Sequence, residues 1–231
     1  MPSTRPRCAV CDRPQPACLC RWVTPIRQSL PLLVLQHPAE QRHAKNSLTL
    51  LRLSLADCQV QVGEHFEETA LRRWLGQGSA LLYPLPAGQQ AQPLGTTELK
   101  QWVLLDGTWR QSHKMLRDHP LLQALPRLTL PDRAPDSAWG SASDQALERQ
   151  PGSAVGRAAE SPPAASAYRI RTAPQPHLLS TLEAACQALA LIDNNPASSA
   201  PLLRAFEGWV DSVLQRGARK LHRKRSENGE S

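Results

Sequence analysis

With 231 residues, 41% of them hydrophobic, the chain can bury one sizeable core, which fits a single α/β domain with appendages. Lys and Arg number 27 against 20 Asp and Glu, and the net charge of +7 favours a polyanionic partner such as nucleic acid. No apolar run approaches the roughly 18 residues of a membrane-spanning helix, so none is expected. The start, Met-Pro-Ser-Thr-Arg-Pro-Arg-Cys, lacks the apolar stretch of a secretory signal. A cytoplasmic location is the expectation, and there thiols stay reduced.

The six Cys should therefore be metal ligands or buried thiols. Four of them, Cys8, Cys11, Cys18 and Cys20, fall within a segment that also holds Pro14 and Pro16 and almost nothing apolar. Such a segment folds poorly without metal. Four soft ligands suit tetrahedral zinc, and a closed set of four argues for a structural site. Residues 1–28 are expected to form this zinc knuckle. Cys58 and Cys186 are expected as buried thiols on apolar helix faces.

Pro31 to Gln36 reads as a buried strand, broken by His37-Pro38-Ala39-Glu40. A helix should follow, with Leu48, Leu51, Leu55 and Cys58 on one face. Val60 to Gly63 fits a short strand, Glu67 to Leu75 a short helix, and Ser79 to Tyr83 another buried strand ending in Pro84. After a polar loop, Gln101 to Leu105 forms the central apolar strand. It ends abruptly in Asp106-Gly107-Thr108-Trp109, and a helical pattern runs from there to His119-Pro120. Gly107 permits a tight turn or the close approach of a ligand. Thr108 is placed to cap the helix.

Three strands thus share one pattern: an apolar run, an abrupt polar or Pro break, then a loop or helix. That alternation predicts a mostly parallel sheet with helices on both faces. The breaks carry His37 with Glu40, Tyr83 with Pro84, and Asp106 with Thr108. In a parallel sheet all three converge on the carboxyl edge, where ligands of open α/β sheets bind.

Arg127 to Leu130 is a weak strand candidate. Residues 132–167 are rich in Ala, Ser, Pro and Gly and read as a disordered insertion, with Trp139 the one residue suited to docking. Tyr168 to Arg171 resumes as a strand. Ser180 and Glu183 match a capping box ahead of the apolar helix face of Leu182, Ala185, Cys186 and Leu189. Asn194-Asn195-Pro196 should end that helix. Pro201 to Arg216 is a last amphipathic helix, so 29–215 reads as the main α/β domain and 216–231 as a basic tail, either solvated or laid on RNA.

The block Asp106-Gly107-Thr108-Trp109, set in Leu-Leu-Asp-Gly-Thr-Trp-Arg-Gln-Ser-His-Lys-Met, resembles the DTW-domain proteins, named for Asp-x-Thr-Trp. The Cys cluster, His37-Pro38-x-Glu40, the helix with Asn46, Leu82-Tyr83-Pro84 and Leu179 to Ala184 agree in order and spacing. The resemblance covers nearly the whole chain outside 132–167. Ser47 stands where Thr is expected and Tyr83 where Phe is usual, and both substitutions keep the chemistry. The insertion is longer than expected.

The resemblance implies a tRNA-uridine aminocarboxypropyltransferase of bacterial type. Its co-substrate would be S-adenosylmethionine, and its partner tRNA. The implied fold is related to the SPOUT RNA methyltransferases, with a C-terminal part that can be knotted. Asp106 becomes the candidate base or nucleotide-orienting group, with His37 and Glu40 as second candidates. Thr108 either holds the turn or meets a ligand. Trp109 either stacks on a base or on adenine, or makes a helix-start core contact. Tyr83, Pro84, Leu179, Ser180 and Thr181 would wall the adenosine site. Arg169 and Arg171 would hold a carboxylate or phosphate, or are strand-surface charges. The competing readings are a SPOUT-like methyltransferase and a non-catalytic RNA-binding protein built on the knuckle and the tail.

Overall fold

The short apolar runs become the strands of one sheet, because period-2 alternation lets each run bury both of its faces. The computed structural model describes residues 6–85 (except 42 and 44), 99–130 and 179–227 (except 196), with backbone only for 219–227. The strands are β1 (Leu32–Gln36), β2 (Cys58–Val62), β3 (Ser79–Leu82), β4 (Gln101–Asp106) and β5 (Arg127–Leu128). They pair in the order β2-β1-β4-β3-β5, every pair parallel. The sheet expected from the strand-break pattern is thus present.

Alternation along β1 and β4 sends side chains to two cores. Leu32, Val34, Trp102 and Leu104 pack with α2 (Leu48–Ser54), α6 (Thr181–Ile192) and α7 (Ala200–Glu227). Leu33, Leu35, Leu81, Val103 and Leu105 pack with α3 (Glu68–Trp74), α4 (Trp109–Arg117) and α5 (Pro120–Gln123). One further short helix, α1 (Pro38–Gln41), follows β1 directly. Both faces of the sheet are covered, as a parallel sheet requires.

The knuckle is part of this architecture. Leu19, fully buried between Cys18 and Cys20, belongs to the same core as Phe206 and Trp209 of α7. Trp22 lies against Gly208, so closely that a Cβ at 208 would collide with its ring. Arg13 places its guanidinium 5.4 Å from the centre of the Trp209 ring. A proline-rich segment with few apolar residues is thereby anchored by two of them on a helix nearly 200 positions away in sequence.

Three expectations are corrected. The helix begun at Leu48 ends at Ser54, because Leu55 turns extended and bridges to Ile26. Cys58 therefore opens an edge strand, half-buried, instead of closing a helix face. Burial still pushes its thiol up to about 12. The last helix does not stop at Arg216 but continues through the basic segment to Glu227. Cys186 is buried in α6 as expected. Helix α6 ends at Ile192, and Asn194 takes the left-handed conformation (φ 47°) that Asn tolerates. The polar loop 86–98, the insertion 132–167 with Trp139, and the strand expected at Tyr168 to Arg171 lie outside the described residues. So does the path from 131 to 178 on which any knot depends.

Candidate active site

Strand β1 leads through α2 to β2 at one edge of the sheet, whereas β4 leads through α4 and α5 to β5 on the other side. Adjacent β1 and β4 thus diverge, over opposite faces, and the crevice between their carboxyl ends is the switch point where α/β sheets bind ligands. The register puts Gln36 directly beside Asp106 at that point. The carbonyl of Asp106 also accepts the amide of His37 at 2.8 Å.

Asp106 is 4% exposed, and three side chains from three elements donate to it. Gln36 Nε2 reaches Oδ2 at 2.7 Å, and Asn46 Nδ2 reaches the same oxygen at 3.2 Å. Thr181 Oγ1, in the first turn of α6, reaches Oδ1 at 2.6 Å. Asn46 is held in turn: its Nδ2 also reaches the Glu40 carbonyl at 2.9 Å, and its Oδ1 accepts the Leu48 amide at 2.6 Å, opening α2. Desolvation raises the Asp106 pKa above the ordinary carboxylate value. The donors from Thr181, Gln36 and Asn46 act against that rise, and the nearby Glu40 charge adds to it. Of the four lone-pair positions of this carboxylate, these bonds leave one, on Oδ1.

The rest of the motif builds the turn. Thr108 caps α4: its hydroxyl accepts the Gln111 amide at 3.4 Å, and its own amide donates to Gln111 Oε1 at 2.7 Å. The turn is snug at Gly107, where a Cβ would lie 3.1 Å from Gln111 Cβ, a tight contact, and 3.5 Å from His37 Cβ, an ordinary one. Trp109 opens α4 and stacks on Tyr83, ring centres 5.2 Å apart and 9° from parallel. One of its faces is thus taken by the end of β3, and Arg127 lies over the Tyr83 ring. The capping box of α6 forms as read from sequence, with Ser180 N donating to Glu183 Oε2 at 2.7 Å and Glu183 N donating to Ser180 Oγ at 3.3 Å.

The His37 ring stands apart from the bonds to the Asp106 carboxylate. Its Nδ1 accepts the Ala39 amide at 3.2 Å, which leaves the ring proton on Nε2 when the ring is neutral. That nitrogen lies 3.7 Å from Glu64 Oε2. Glu64 is also paired with Lys114 of α4, and this pairing holds its carboxyl below the usual range. The carbonyl of Glu40 serves Asn46, and its side chain is buried. Pro84 and Leu179 are half-buried beside Tyr83 and Ser180 in the chain. Arg171 lies outside the described residues.

At the knuckle, Cys8 and Cys20 Sγ are 3.6 Å apart and Cys11 and Cys18 Sγ 3.8 Å, and all four lie within 4.8 Å of one another. A tetrahedron of thiolates on zinc has edges of about 3.8 Å, from a Zn–S distance of about 2.3 Å. The backbone amides of Cys11 and Val10 draw the Cys8 thiol down to about 6, while desolvation and the neighbouring sulfurs push Cys20 up to about 12. Ionising all four at this spacing calls for a cation between them, and the set is close enough to hold a metal.

Comparison with known proteins bears on this geometry. The family model described as the DTW domain matches residues 5–214, from the knuckle into α7. The chain belongs to the DTW-domain family. Relatives of this DTW-domain chain include proteins named tRNA-uridine aminocarboxypropyltransferase 2. That of Mus musculus is 29% identical over 93% of this chain and 65% of its own length. That of Drosophila melanogaster is 30% identical over 94% of this chain and 78% of its own. The chain thus spans a little under two thirds of the mouse relative. No solved structure matches the chain.

In this DTW-domain chain the motif divides its labour: Asp106 is the hub, Thr108 the cap, and Trp109 the partner of Tyr83. Sequence reading missed Gln36, Asn46 as a donor, and the Glu64–Lys114 pair. The signal for Gln36 was present, because a Gln closing a five-residue apolar strand must find a buried partner.

Proposed function

We propose that this protein transfers the 3-amino-3-carboxypropyl group of S-adenosylmethionine to N3 of a uridine in tRNA, in the cytoplasm, with zinc held by Cys8, Cys11, Cys18 and Cys20. The observation that carries the reading is the buried Asp106 of the family's motif, at the switch point of the sheet, bonded by Gln36, Asn46 and Thr181. The names of the relatives, over nearly the whole of this chain, support the reaction.

S-adenosylmethionine supplies a sulfonium whose aminocarboxypropyl carbon is electrophilic. The N3–C bond forms as the S–C bond breaks, methylthioadenosine leaves, and the N3 proton needs an acceptor. Asp106 is that acceptor: burial and the Glu40 charge strengthen it as a base, and Oδ1 keeps a lone pair. The three donors fix its direction. His37, with its proton turned to Glu64, is less suited to accept one and instead holds the loop after β2. Tyr83, Pro84, Thr108, Trp109, Leu179, Ser180 and Thr181 border the adenosine site, and Arg171 is assigned the carboxylate of the donor. Presenting the aminocarboxypropyl carbon and keeping the methyl group away is a matter of orientation.

Labelled donor tests this reading. S-adenosylmethionine carrying label in its carboxyl group should transfer that label to unmodified tRNA, and methyl-labelled donor should transfer none. Methyl label in tRNA would establish a methyltransferase instead. Binding of tRNA with no label from either donor would leave a non-catalytic RNA-binding protein.

A further inference from the structure

An open groove of about 990 Å³ runs between the knuckle, α2 and the edge strand β2. Among its lining residues is Gln36, which donates to Asp106. Its walls carry Arg7, Arg13, Arg52 and His43 against a single acid, Asp12. Arg7 is paired with Asp12 on the exposed rim. Arg13 is fixed by the Asn46 carbonyl and Trp209. Arg52 is exposed on α2 and has no ion pair among the described residues. Thr108, Trp109, Tyr83 and Thr181 are not among the groove's lining residues, so it approaches the motif from the side, and its volume is at the upper end for a small-molecule pocket.

We propose that this groove is the track for the RNA backbone flanking the reacting nucleotide, with the knuckle as one wall and Arg52 as a phosphate contact. The proposal rests on the transferase reading and adds to it the route by which the polynucleotide reaches Asp106. Cationic walls suit a chain of phosphates, which arginine binds through paired N–H donors. Continuity with Gln36 means that a strand seated in the groove is delivered to the hydrogen-bond network of the motif. It also accounts for a metal knuckle docked on the core of α7: a rigid wall needs a rigid mount.

The test uses the full, metal-loaded chain and unmodified bulk tRNA. Affinity is measured across a salt series, together with the KM for tRNA and the Kd for S-adenosylmethionine. Arg52→Ala should weaken tRNA binding about five- to tenfold and lower the salt slope by about one. It should raise the KM for tRNA and leave the Kd of the donor unchanged. Arg52→Lys should restore most of the loss, as a point charge can. Arg73→Ala, on exposed α3 across the sheet, is the control for bulk charge and should change neither binding nor transfer. Wild-type affinity and slope in Arg52→Ala, or an equal loss in Arg73→Ala, would overturn the groove while the wild-type protein still transferred. Failure of the wild-type protein to bind tRNA would remove both readings.

Discussion

Asp106 faces two opposing demands, and the balance between them sets its chemistry. Burial favours the protonated acid, while three donors favour the carboxylate, and burial dominates. A carboxyl whose pKa is raised binds protons more tightly folded than unfolded. Any stability it contributes is therefore present below the unfolded value and lost as pH rises through the folded one. Ionising the group is a cost that the fold carries. For Glu64 the sign is reversed: its pKa is lowered, so its contribution is present above the ordinary value and lost as pH falls through the depressed one. Transfer should accordingly show an acid limb above the usual carboxylate value. Removing the Thr181 hydroxyl removes the bond to Oδ1, so Thr181→Val should move that limb to higher pH and cost about 1–3 kcal/mol of stability. A pH–rate profile with an unmoved limb would detach Thr181 from the base. Asp106→Ala is the less informative change, since it would take the acceptor from three donors at once, two of them buried. The carboxylate was legible in sequence, placed by an apolar run that ends in Asp-Gly-Thr. Its donors were not, because Gln36 and Asn46 lie 70 and 60 positions away; Gln36 reaches it through parallel pairing and Asn46 from the turn before α2.

At the scale of elements, local patterns were read well where the signal was local. The Thr108 cap, the Ser180–Glu183 capping box, the strands among the described residues and the Asn-terminated end of α6 follow from residues within a few positions of one another, whereas Gln111 as the second half of a box at Thr108 was not read. The error at Cys58 came from a helical spacing that continued past Leu55, where tertiary pairing with Ile26 ended the helix. The length of α7 was underestimated because a charge run carries no apolar face to read. The knuckle shows how a weak element gains order: Leu19 and Trp22 anchor it to α7, and the four thiols supply the remaining constraint. Metal removal should therefore do more than loosen 8–20, because it withdraws Leu19 and Trp22 from the core that contains Phe206 and Trp209. A chelator should lower the thermal midpoint of the whole protein and shift the near-ultraviolet signal of Trp209, with recovery on adding zinc. A purified protein free of metal that melts unchanged in chelator would contradict the structural-site reading.

For the whole molecule, the sheet places its chemistry at one crevice. Parallel pairing aligns the carboxyl ends of β1, β3 and β4, and the reversal of connection between β1 and β4 opens the space beside Asp106. Around that point lie the stacked Tyr83–Trp109 wall, the first turn of α6, and a cationic groove leading from the knuckle. Among the described residues no helix is long and apolar enough to cross a membrane. The central claim is that aminocarboxypropyl transfer depends on the Asp106 carboxylate. The most direct test is single-turnover transfer by the wild-type and Asp106→Asn proteins, each pre-loaded with S-adenosylmethionine and mixed with saturating unmodified tRNA, with products identified by mass spectrometry. The expected result is methylthioadenosine and an aminocarboxypropyl-uridine from the wild-type protein. The isosteric variant should still hold the donor and react about 100-fold more slowly or worse. Equal rates from the two proteins, or S-adenosylhomocysteine from the wild type, would contradict it.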